Sequence, residues 1–327
     1  MRAVVIPSFG DPEVLTLREM PDPHPGARQV AIRVAYVGVN YADILARRNR
    51  YHAVELPFVP GMEVSGYIQE IGEDVKGLRE GQPVAAFTLG GGYAEIALAQ
   101  ADLTFPLDDI HGSLDLATAA AFPAVVPTAY DMLMYSAHLQ AGETILIHSA
   151  AGGVGSVAGQ LARYLGASLV LGTVGSEQKV AHAQSSGYNH VFLRDGFVEA
   201  VQSVTAGRGV DVVLDPSGEP TRSQSLSLLA PFGRLVVFGY ASGNPDVPVE
   251  PGVLMAGNKA VVGYSISALN RTNPEHTAAT IRRAIDLLVK GHIRINITDI
   301  LSLEQAAMAH RRMESNATTG KLLLRVQ

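Results

Sequence analysis

A short apolar strand runs directly into a turn of small residues and then a helical pattern between Thr144 and Gly155. This order is typical of a dinucleotide-binding βαβ unit, in which a Gly-x-Gly-x-x-Gly run joins strand to helix. Here alanine takes the first position, followed by Gly152 and Gly155. The pattern predicts a tight turn, a bare backbone facing a pyrophosphate, and close helix-to-strand packing, in that order. The phosphates are expected on open N–H groups at the helix N-terminus. The residues of this predicted site are Ala150, Ala151, Gly152, Gly153, Val154 and Gly155.

The next strand indicates which dinucleotide is bound. Residues 168–173 lead into Gly175 and Ser176, where an NAD-binding protein places an Asp or Glu on the ribose 2′-hydroxyl. No carboxylate closes this strand. The hydroxyl of Ser176 and the cation of Lys179 suit a 2′-phosphate by hydrogen bonding and by charge. The sequence therefore predicts NADPH in preference to NADH.

Other groups near the predicted cofactor site leave alternatives open. Glu177 can serve as a ribose acceptor, and Arg194 is either a second phosphate ligand or a solvated surface charge. Two later strands end at Asp215 and near residue 238, at the carboxyl edge where open α/β sheets bind ligands. Their backbones are expected to contact the nicotinamide ribose. The residues predicted at that edge are Ser217, Phe238, Gly239 and Tyr240.

Size, charge and cysteine content exclude several classes of protein. A chain of 327 residues is too long for one ordinary core and predicts two domains. The net charge is −6 with both signs interspersed, so nucleic acid and anionic membranes are not expected partners. Prolines and aspartates break the most apolar region, and the start lacks a signal-peptide core, which together predict a cytoplasmic protein. The chain has no cysteine, which excludes disulfides, thiolate catalysis and any cysteine-based zinc site.

Secondary-structure patterns change along the chain. Up to about residue 105, short strands alternate with Gly, Pro and Asp turns, which predicts a barrel-like or sandwich-like domain. A helix at Tyr41 to Arg50 interrupts it. From Pro127 to Tyr264 strands and helices alternate, which predicts a doubly wound parallel sheet. The tail from Pro274 has a long helix, a strand, a second helix and a final strand.

Several unlinked motifs occur in one order along the whole chain. They are GVNYAD at 38–43, PGMEVSGYIQEIG at 60–72, TAY at 128–130, HSAAGGVG at 148–155, GTVGSEQK at 172–179, GRLVVFG at 233–239 and ATTGKLLLRV at 317–326. With these motifs the chain resembles the medium-chain dehydrogenase/reductase superfamily, and within it the zinc-free quinone oxidoreductase (zeta-crystallin-like) branch. The resemblance implies an α/β fold in which a Rossmann domain, residues 123–265, is inserted into a GroES-like β-rich substrate domain, residues 1–122 plus 266–327. It also implies a homodimer through an edge strand at Ala260 to Tyr264.

The resemblance includes a departure that bears on the chemistry. Zinc-dependent relatives keep Cys, His and Cys as catalytic metal ligands. The resemblance implies that Asn40, Met62 and Ala124 occupy the corresponding positions here. None of these is a useful zinc ligand, so no catalytic metal is expected. Without a Lewis acid, a conjugated acceptor is easier to reduce than a simple aldehyde, because the negative charge spreads into an enolate. The implied reaction is NADPH-dependent reduction of a quinone or other small α,β-unsaturated carbonyl.

The family's N-x-x-D-x-x-x-R-x-x-x-Y arrangement matches Asn40, Asp43, Arg47 and Tyr51. The resemblance implies that Asn40 donates to a substrate oxygen or to the nicotinamide ribose. Tyr51 is implied either to direct enolate protonation or to be an aromatic at the rim. Asp43 and Arg47 stand four residues apart, and a surface ion pair along the helix is preferred for them over catalysis.

Four further positions take their interpretation from the resemblance. Thr128 matches a position facing the nicotinamide, although a helix-capping threonine explains it equally. Asn316 and Lys321 belong to a segment that closes over the cofactor, or to an ordinary turn before the last strand. Glu63 is expected to be a structural acceptor rather than an acid.

An arginine run distinguishes two interpretations of the substrate. Arg47, Arg48 and Arg50 surround Asn49, which replaces a glycine of the family and tolerates a left-handed backbone. The preferred interpretation is a solvated face, and the alternative is steering of an anionic thioester. The second would favour an enoyl-thioester reductase. A third possibility, from another class, is an NADPH-binding crystallin-like protein without catalysis.

Overall fold

The computed structural model describes residues 1–50, 54–108 and 114–326, and Tyr51 lies outside them. In chain order the strands are β1 (Arg2–Val5), β2 (Thr16–Glu19), β3 (Gln29–Val39), β4 (Glu63–Ile71), β5 (Pro83–Phe87), β6 (Ile96–Gln100), β7 (Thr104–Pro106), β8 (Thr144–Ile147), β9 (Leu169–Val174), β10 (His190–Leu193), β11 (Val210–Asp215), β12 (Leu229–Val237), β13 (Ala260–Gly263), β14 (Ile297–Ser302) and β15 (Lys321–Arg325). The helices are α1 (Tyr41–Arg47), α2 (Leu116–Ala121), α3 (Val125–Asp131), α4 (Gly153–Tyr164), α5 (Val180–Gln184), α6 (Phe197–Val204), α7 (Thr221–Leu228), α8 (Pro251–Gly257), α9 (Ile266–Thr272), α10 (Pro274–Val289) and α11 (Ala306–Glu314).

The chain divides into two compact units. Unit 1 comprises Met1–Pro127, Ser267–Gly291 and Ile295–Gln327, and unit 2 comprises Thr128–Ile266 and His292–Arg294. In both, no described helix combines the length and the low polarity needed to cross a bilayer.

Unit 1 is β-rich, as its alternating pattern predicts. Six strands form a sheet in the order β14-β15-β3-β4-β5-β7, and β6 pairs with β3 beside this path. The pairing is antiparallel except between β14 and β15. Alternate side chains of β3, among them Val30, Ile32 and Val34, are fully buried in one apolar cluster with residues of β4 and β15. The long β3 therefore joins the N-terminal strands to the tail, which completes this unit.

Unit 2 contains a six-stranded parallel sheet in the order β10-β9-β8-β11-β12-β13. All residues of β8 and β11 are buried, as expected for strands covered on both faces by helices. The order reverses beside β8, which is the arrangement of a doubly wound dinucleotide-binding sheet. The predicted Rossmann fold is confirmed, and β13 lies at an edge of the described sheet.

Two parts of unit 2 differ from the sequence prediction. Strand β12 begins at Leu229, although the pattern predicts a helix through Leu229 and a strand only from Arg234. Leu229 and Ala230 are buried apolar residues, and such a short run fits a helix end and a strand start equally well. Helix α8 was also not predicted, because its face is largely exposed and carries no clear period.

Candidate active site and cofactor site

The turn between β8 and α4 has the geometry that the glycine pattern predicts. The N–H of Gly152 donates to the Ser149 carbonyl at 2.9 Å, which closes the turn. A Cβ on Gly155 would lie 2.3 Å from that same carbonyl, so the helix can approach the strand only with glycine there. The left-handed residue of the turn is Ser149, at φ 55°, one position before Ala150. Alanine is accommodated at position 150 because the left-handed conformation, which favours glycine, is adopted by Ser149 and not by Ala150.

The first turn of α4 forms the open end expected for a pyrophosphate. Gly152 is the N-cap residue and supplies no side-chain cap, so the first N–H groups of the helix keep their donors for another partner. Helix α4 runs for 12 residues, and its dipole adds positive potential at this end. The predicted phosphate-binding residues Ala151, Gly153 and Val154 therefore lie at a position that suits an anion.

Two cations lie together where β9 ends. A Cβ on Gly175 would be 3.8 Å from the Arg194 guanidinium, and the Arg194 N–H donates to Val174 at 2.9 Å. Burial lowers the pKa of Lys179, and the charge of Arg194 lowers it further. No described carboxylate forms an ion pair with either cation. Two like charges that form no ion pair with a described carboxylate suit an anion, and Ser176 opens the short helical turn that carries Lys179.

At the other half of the carboxyl edge, Asp215, which the sequence places at the end of a strand, pairs with Arg222, which the sequence did not single out. Asp215, at the end of β11, is fully buried and accepts hydrogen bonds from Ser217 N at 2.7 Å and Arg222 Nε at 3.0 Å. Arg222 also donates to the Gly239 carbonyl at 2.6 Å. This ion pair fixes the two turns that follow β11 and β12. Those turns carry the predicted residues Ser217, Phe238, Gly239 and Tyr240.

In unit 1, a buried ion pair connects several segments distant in sequence. Lys321 Nζ donates to Glu63 Oε1 at 2.6 Å, to Asn40 Oδ1 at 2.8 Å and to the Val39 carbonyl at 3.1 Å. Glu63 Oε2 accepts from Ala124 N at 2.7 Å. The expectation that Glu63 is a structural acceptor is confirmed. The expectation that the Lys321 ammonium binds the cofactor needs correction, because its three hydrogens are all used inside the protein.

The same network occupies the side chain of Asn40. Its amide nitrogen donates to Glu63 at 2.9 Å and to the Gly38 carbonyl at 3.3 Å, and its oxygen accepts from Lys321. Both N–H groups therefore already have acceptors. Donation by Asn40 to a substrate oxygen would require one of these bonds to break.

Asp43 and Arg47 do not form the predicted surface ion pair, because both side chains are buried. Asp43 instead caps α1 by accepting from Asn40 N at 2.9 Å, and it accepts from Gly61 N at 2.9 Å. Burial raises the pKa of Asp43 to about 6, against the opposing effect of these two donors. Asp43 therefore fastens the turn at Gly61 to the start of α1.

The arginine run is likewise only partly solvated. Arg47 is 0% exposed and pairs with Glu314 of α11, which Arg48 also contacts at 2.8 Å. Arg48 and Arg50 are exposed, as expected. Asn49 adopts the left-handed conformation predicted for it, at φ 54°. The prediction of a solvated face is therefore wrong for Arg47, which packs against a helix from the tail of the chain.

Tyr93 and His310 are buried polar residues that the sequence gave no reason to select. The hydroxyl of Tyr93 lies 3.1 Å from His310 Nε2 and 3.5 Å from Asp43 Oδ2. Burial lowers the pKa of His310 to about 3, so its ring is neutral at physiological pH. A neutral Nε2–H donating to the phenol, and the phenol to Asp43, connects the three side chains, whereas His310 Nδ1 is buried without a hydrogen-bond partner.

A cavity in unit 1 lies beside this network. Asp43 and Ser267 are the polar side chains of its wall, and the other lining side chains are apolar, including Phe58, Met62 and Leu89. Met62 is one of the positions that correspond to zinc ligands. In the described part of the chain, no cluster of three histidine, cysteine or acidic side chains could hold a metal ion.

Thr128 lies inside α3 and not at its N-terminus, so the helix-capping alternative is wrong. Its hydroxyl hydrogen-bonds to the phenol of Tyr264, which donates to Asp131 Oδ2 at 3.0 Å. Asn316 follows α11 in a left-handed conformation at φ 54° and is exposed. A role for Asn316 in closing over the cofactor stays a prediction.

Domain matches, full-length relatives and solved structures all relate this chain to the same family of proteins. Residues 26–109 match the alcohol dehydrogenase GroES-like domain, and residues 153–289 match the zinc-binding dehydrogenase family. The chain is 33% identical over 330 residues to a quinone oxidoreductase of Rattus norvegicus, covering 99% of this chain and 97% of the relative. It is 34% identical over 324 residues to a quinone oxidoreductase of Pseudomonas aeruginosa, covering 97% of each. The crystal structure of Escherichia coli quinone oxidoreductase complexed with NADPH has a TM-score of 0.92 at 29% identity, covering 100% of both chains.

The GroES-like match lies within unit 1, whereas the second match covers most of unit 2 and continues into residues 267–289 of unit 1. The two quinone oxidoreductases match this chain over nearly its whole length. The matched family is named for zinc binding, but the side chains of Asn40, Met62 and Ala124 are not zinc ligands. The chain therefore belongs to the quinone oxidoreductase, or zeta-crystallin-like, branch of the medium-chain dehydrogenase/reductase superfamily.

Proposed function

We propose that this protein reduces a quinone or another α,β-unsaturated carbonyl compound with NADPH as hydride donor. The observation that carries the cofactor assignment is the uncompensated cation pair of Lys179 and Arg194 at the end of β9. A 2′-phosphate carries the charge that this pair lacks, and a bare ribose hydroxyl does not. The E. coli relative was solved with NADPH, which supports the same choice here.

The residues of unit 2 fit the rest of the cofactor. The open N–H groups at the start of α4 suit the pyrophosphate, and the backbone turns fixed by Asp215 and Arg222 suit the nicotinamide ribose. When bound, NADPH supplies a hydride. The protein's part is to hold the dinucleotide at this edge and to position the acceptor.

Unit 1 supports a conjugated acceptor. Neither Asn40 nor Lys321 has a free N–H to stabilise a localised alkoxide, since each N–H already has an acceptor within the protein. The charge that develops on an enone or quinone is delocalised and needs less local stabilisation.

The arginine run no longer favours an anionic thioester. Arg47 is buried, and Glu314 offsets one of the two charges of Arg47 and Arg48, so the run presents fewer cations to solvent than its sequence suggests. No observation in the structure specifically favours enoyl-thioester reduction, and the turnover assay below tests it.

The proposed enzyme is also expected to form a homodimer through β13. This strand lies at an edge of the sheet with half-buried residues, and unpaired backbone at such an edge can pair with a second copy. Phe232, in the neighbouring strand β12, is 77% exposed, and Met255, in helix α8 shortly before β13, is 79% exposed. Large apolar side chains exposed to this extent favour a covered surface. A cytoplasmic location stays a prediction.

Turnover assays test the reaction. Oxidation of NADPH and NADH is followed with a benzoquinone, a naphthoquinone, simple enones and crotonyl-coenzyme A. We expect turnover of quinones or enones with NADPH preferred. Turnover confined to the thioester would replace the proposed substrate class, and tight NADPH binding without turnover would identify a non-catalytic protein.

A charge reversal tests the cofactor site directly. Lys179→Glu places a carboxylate beside the 2′-phosphate, and we expect NADPH binding to weaken at least about tenfold more than NADH binding. The matched control is Lys290→Glu, which makes the same change in charge on an exposed residue of unit 1. Equal losses for both cofactors in Lys179→Glu would refute the 2′-phosphate assignment.

A further inference from the structure

Two cations follow the neighbouring strands β9 and β10. These strands pair in parallel with Leu193 beside Val174, so the residues after each strand lie at the same edge of the sheet. Arg194 comes directly after β10 and is exposed, whereas Lys179 is half-buried on the short helical turn after β9. Burial lowers the pKa of Lys179, and the charge of Arg194 lowers it further, which is the effect of a close cation.

Among the described residues, no carboxylate forms an ion pair with Lys179 or Arg194. Glu177 stands two residues before the lysine in sequence and is exposed. A further titratable neighbour is His182, whose pKa is lowered by burial and by the charge of Lys179. These surroundings raise the fraction of Lys179 that is present as the neutral amine.

A lysine in this state is a nucleophile, because only the neutral amine attacks an electrophile. Lys179 is half-buried and not enclosed, so small solutes reach it. The guanidinium of the neighbouring Arg194 is suited to phosphate, which it binds through two parallel N–H groups. A nucleophile and a phosphate-binding group therefore lie side by side.

An acyl phosphate is the class of electrophile that matches both groups. A single bridging oxygen joins its carbonyl carbon to its phosphorus. Binding of the phosphate to Arg194 therefore brings the carbonyl carbon towards the amine of Lys179. An acyl-coenzyme A thioester does not fit in this way, since a long chain of atoms separates its phosphates from its carbonyl carbon.

We propose that Lys179 is an acylation site for small acyl phosphates, which Arg194 recruits. The amine attacks the carbonyl carbon and forms a C–N bond, while the bond from that carbon to the bridging oxygen breaks. The departing phosphate takes the electron pair of the broken bond and the proton that the nitrogen loses. The inference rests on the proposed NADPH site, because the amide no longer carries a charge for the 2′-phosphate. Acylation thereby weakens NADPH binding and spares NADH binding.

Two other lysines serve as internal controls. Lys259 is also half-buried and burial lowers its pKa too, but no neighbouring cation contributes to that shift. Its Nζ donates to the Leu226 carbonyl at 2.9 Å. Lys290 is exposed and gives the rate of a solvated lysine.

Mass spectrometry of proteolytic peptides measures the rate of acetylation at each lysine. The donors are acetyl phosphate and N-acetoxysuccinimide, which is neutral and has no phosphate. Because each lysine is compared between the two donors, its intrinsic reactivity cancels and recruitment by phosphate remains. Arg194→Met removes the recruiting cation, and circular dichroism verifies that this variant is folded.

We expect the ratio of the rates at Lys179 and Lys259 to be at least about tenfold higher with acetyl phosphate than with the neutral donor, the preference that one charge-assisted hydrogen bond provides. In Arg194→Met the two donors should give the same ratio, and the rate at Lys290 should not change. At equal concentrations, NADP⁺ should protect Lys179 more than NAD⁺ does.

Calorimetry then compares NADPH and NADH binding to the acetylated protein. Protein treated in the presence of NADP⁺ and then freed of it is the control, since its other lysines are modified to the same extent. We expect acetylation of Lys179 to weaken NADPH binding at least about tenfold more than NADH binding.

The proposal is overturned if both donors give the wild type the same ratio of rates, or if acetylation of Lys179 leaves the preference for NADPH unchanged. Failure of the proposed function gives a different result. Unmodified protein would then not bind NADP⁺, and Lys179 would still react preferentially with acetyl phosphate.

Discussion

Replacing Lys321 by methionine should destabilise the protein strongly while leaving the cofactor affinity of the folded protein unchanged. Lys321 and Glu63 are 2% and 0% exposed, and their charged atoms lie 2.6 Å apart. At an effective dielectric constant of 20, this separation corresponds to an attraction of about 6 kcal/mol, which offsets the cost of desolvating both ions. Removing only the lysine leaves Glu63 buried without its counterion.

The expected loss in free energy of unfolding for Lys321→Met is about 3–5 kcal/mol, the usual cost of breaking a buried pair. The bonds from Ala124 N and Asn40 Nδ2 still satisfy Glu63 in part, which keeps the loss within this range. The double variant Glu63→Gln/Lys321→Met removes both charges. We expect it to be more stable than Lys321→Met by about 1–3 kcal/mol, since no charge remains uncompensated.

Urea titrations followed by far-UV circular dichroism measure these differences, because the chain has no tryptophan for fluorescence. Lys321→Arg keeps the charge and serves as the conservative variant. Titration calorimetry with NADPH is performed on the folded proteins. If Lys321→Met unfolds like the wild type but binds NADPH tenfold more weakly, the lysine is a cofactor ligand and the structural assignment is wrong.

Three other changes have defined outcomes. Asp43→Asn should lose about 1–3 kcal/mol in urea unfolding, because an amide leaves one of two buried N–H groups unpaired. Since the folded pKa of Asp43 is raised to about 6, the wild type should gain stability relative to this variant as pH falls from about 7 to 4. Gly155→Ala should weaken NADPH binding in calorimetry at least about tenfold, because its Cβ would meet backbone at 2.3 Å, whereas Gly252→Ala, with open space, should not. The double variant Phe232→Glu/Met255→Glu should sediment as a monomer and the wild type as a dimer.

The sequence predicted those parts of the site that depend on neighbours along the chain. The turn at Gly152 and Gly155 follows from one strand and one helix, and its geometry needs only local backbone. Lys179 was singled out because it lies five residues past the next strand, β9, and its role as a phosphate ligand stays a prediction. Arg194 was left open between two roles, and its position beside Gly175 now favours the phosphate.

The sequence did not predict contacts between distant segments. The spacing of Asp43 and Arg47 places them on one helix face, but it does not show whether that face is solvated. Helix α11 covers it, and Glu314 reaches Arg47 from 267 residues away. The helical period carries no information about such a partner. The spacing of Asp43 and Arg47 therefore predicted a surface ion pair, although each side chain is buried and bonds to a different partner.

The position of the Lys321 ammonium bears on the choice of substrate. It supplies a positive charge beside Asn40, and through Glu63 it is linked to Ala124, so two positions that correspond to zinc ligands share one hydrogen-bonded network. This cation differs from a metal ion in one chemical respect, because its three hydrogens are already bonded and it has no open coordination position. It therefore stabilises the fold here without offering a carbonyl oxygen a direct bond. The reaction proposed above needs no such bond, since quinones and enones disperse the negative charge that hydride transfer creates.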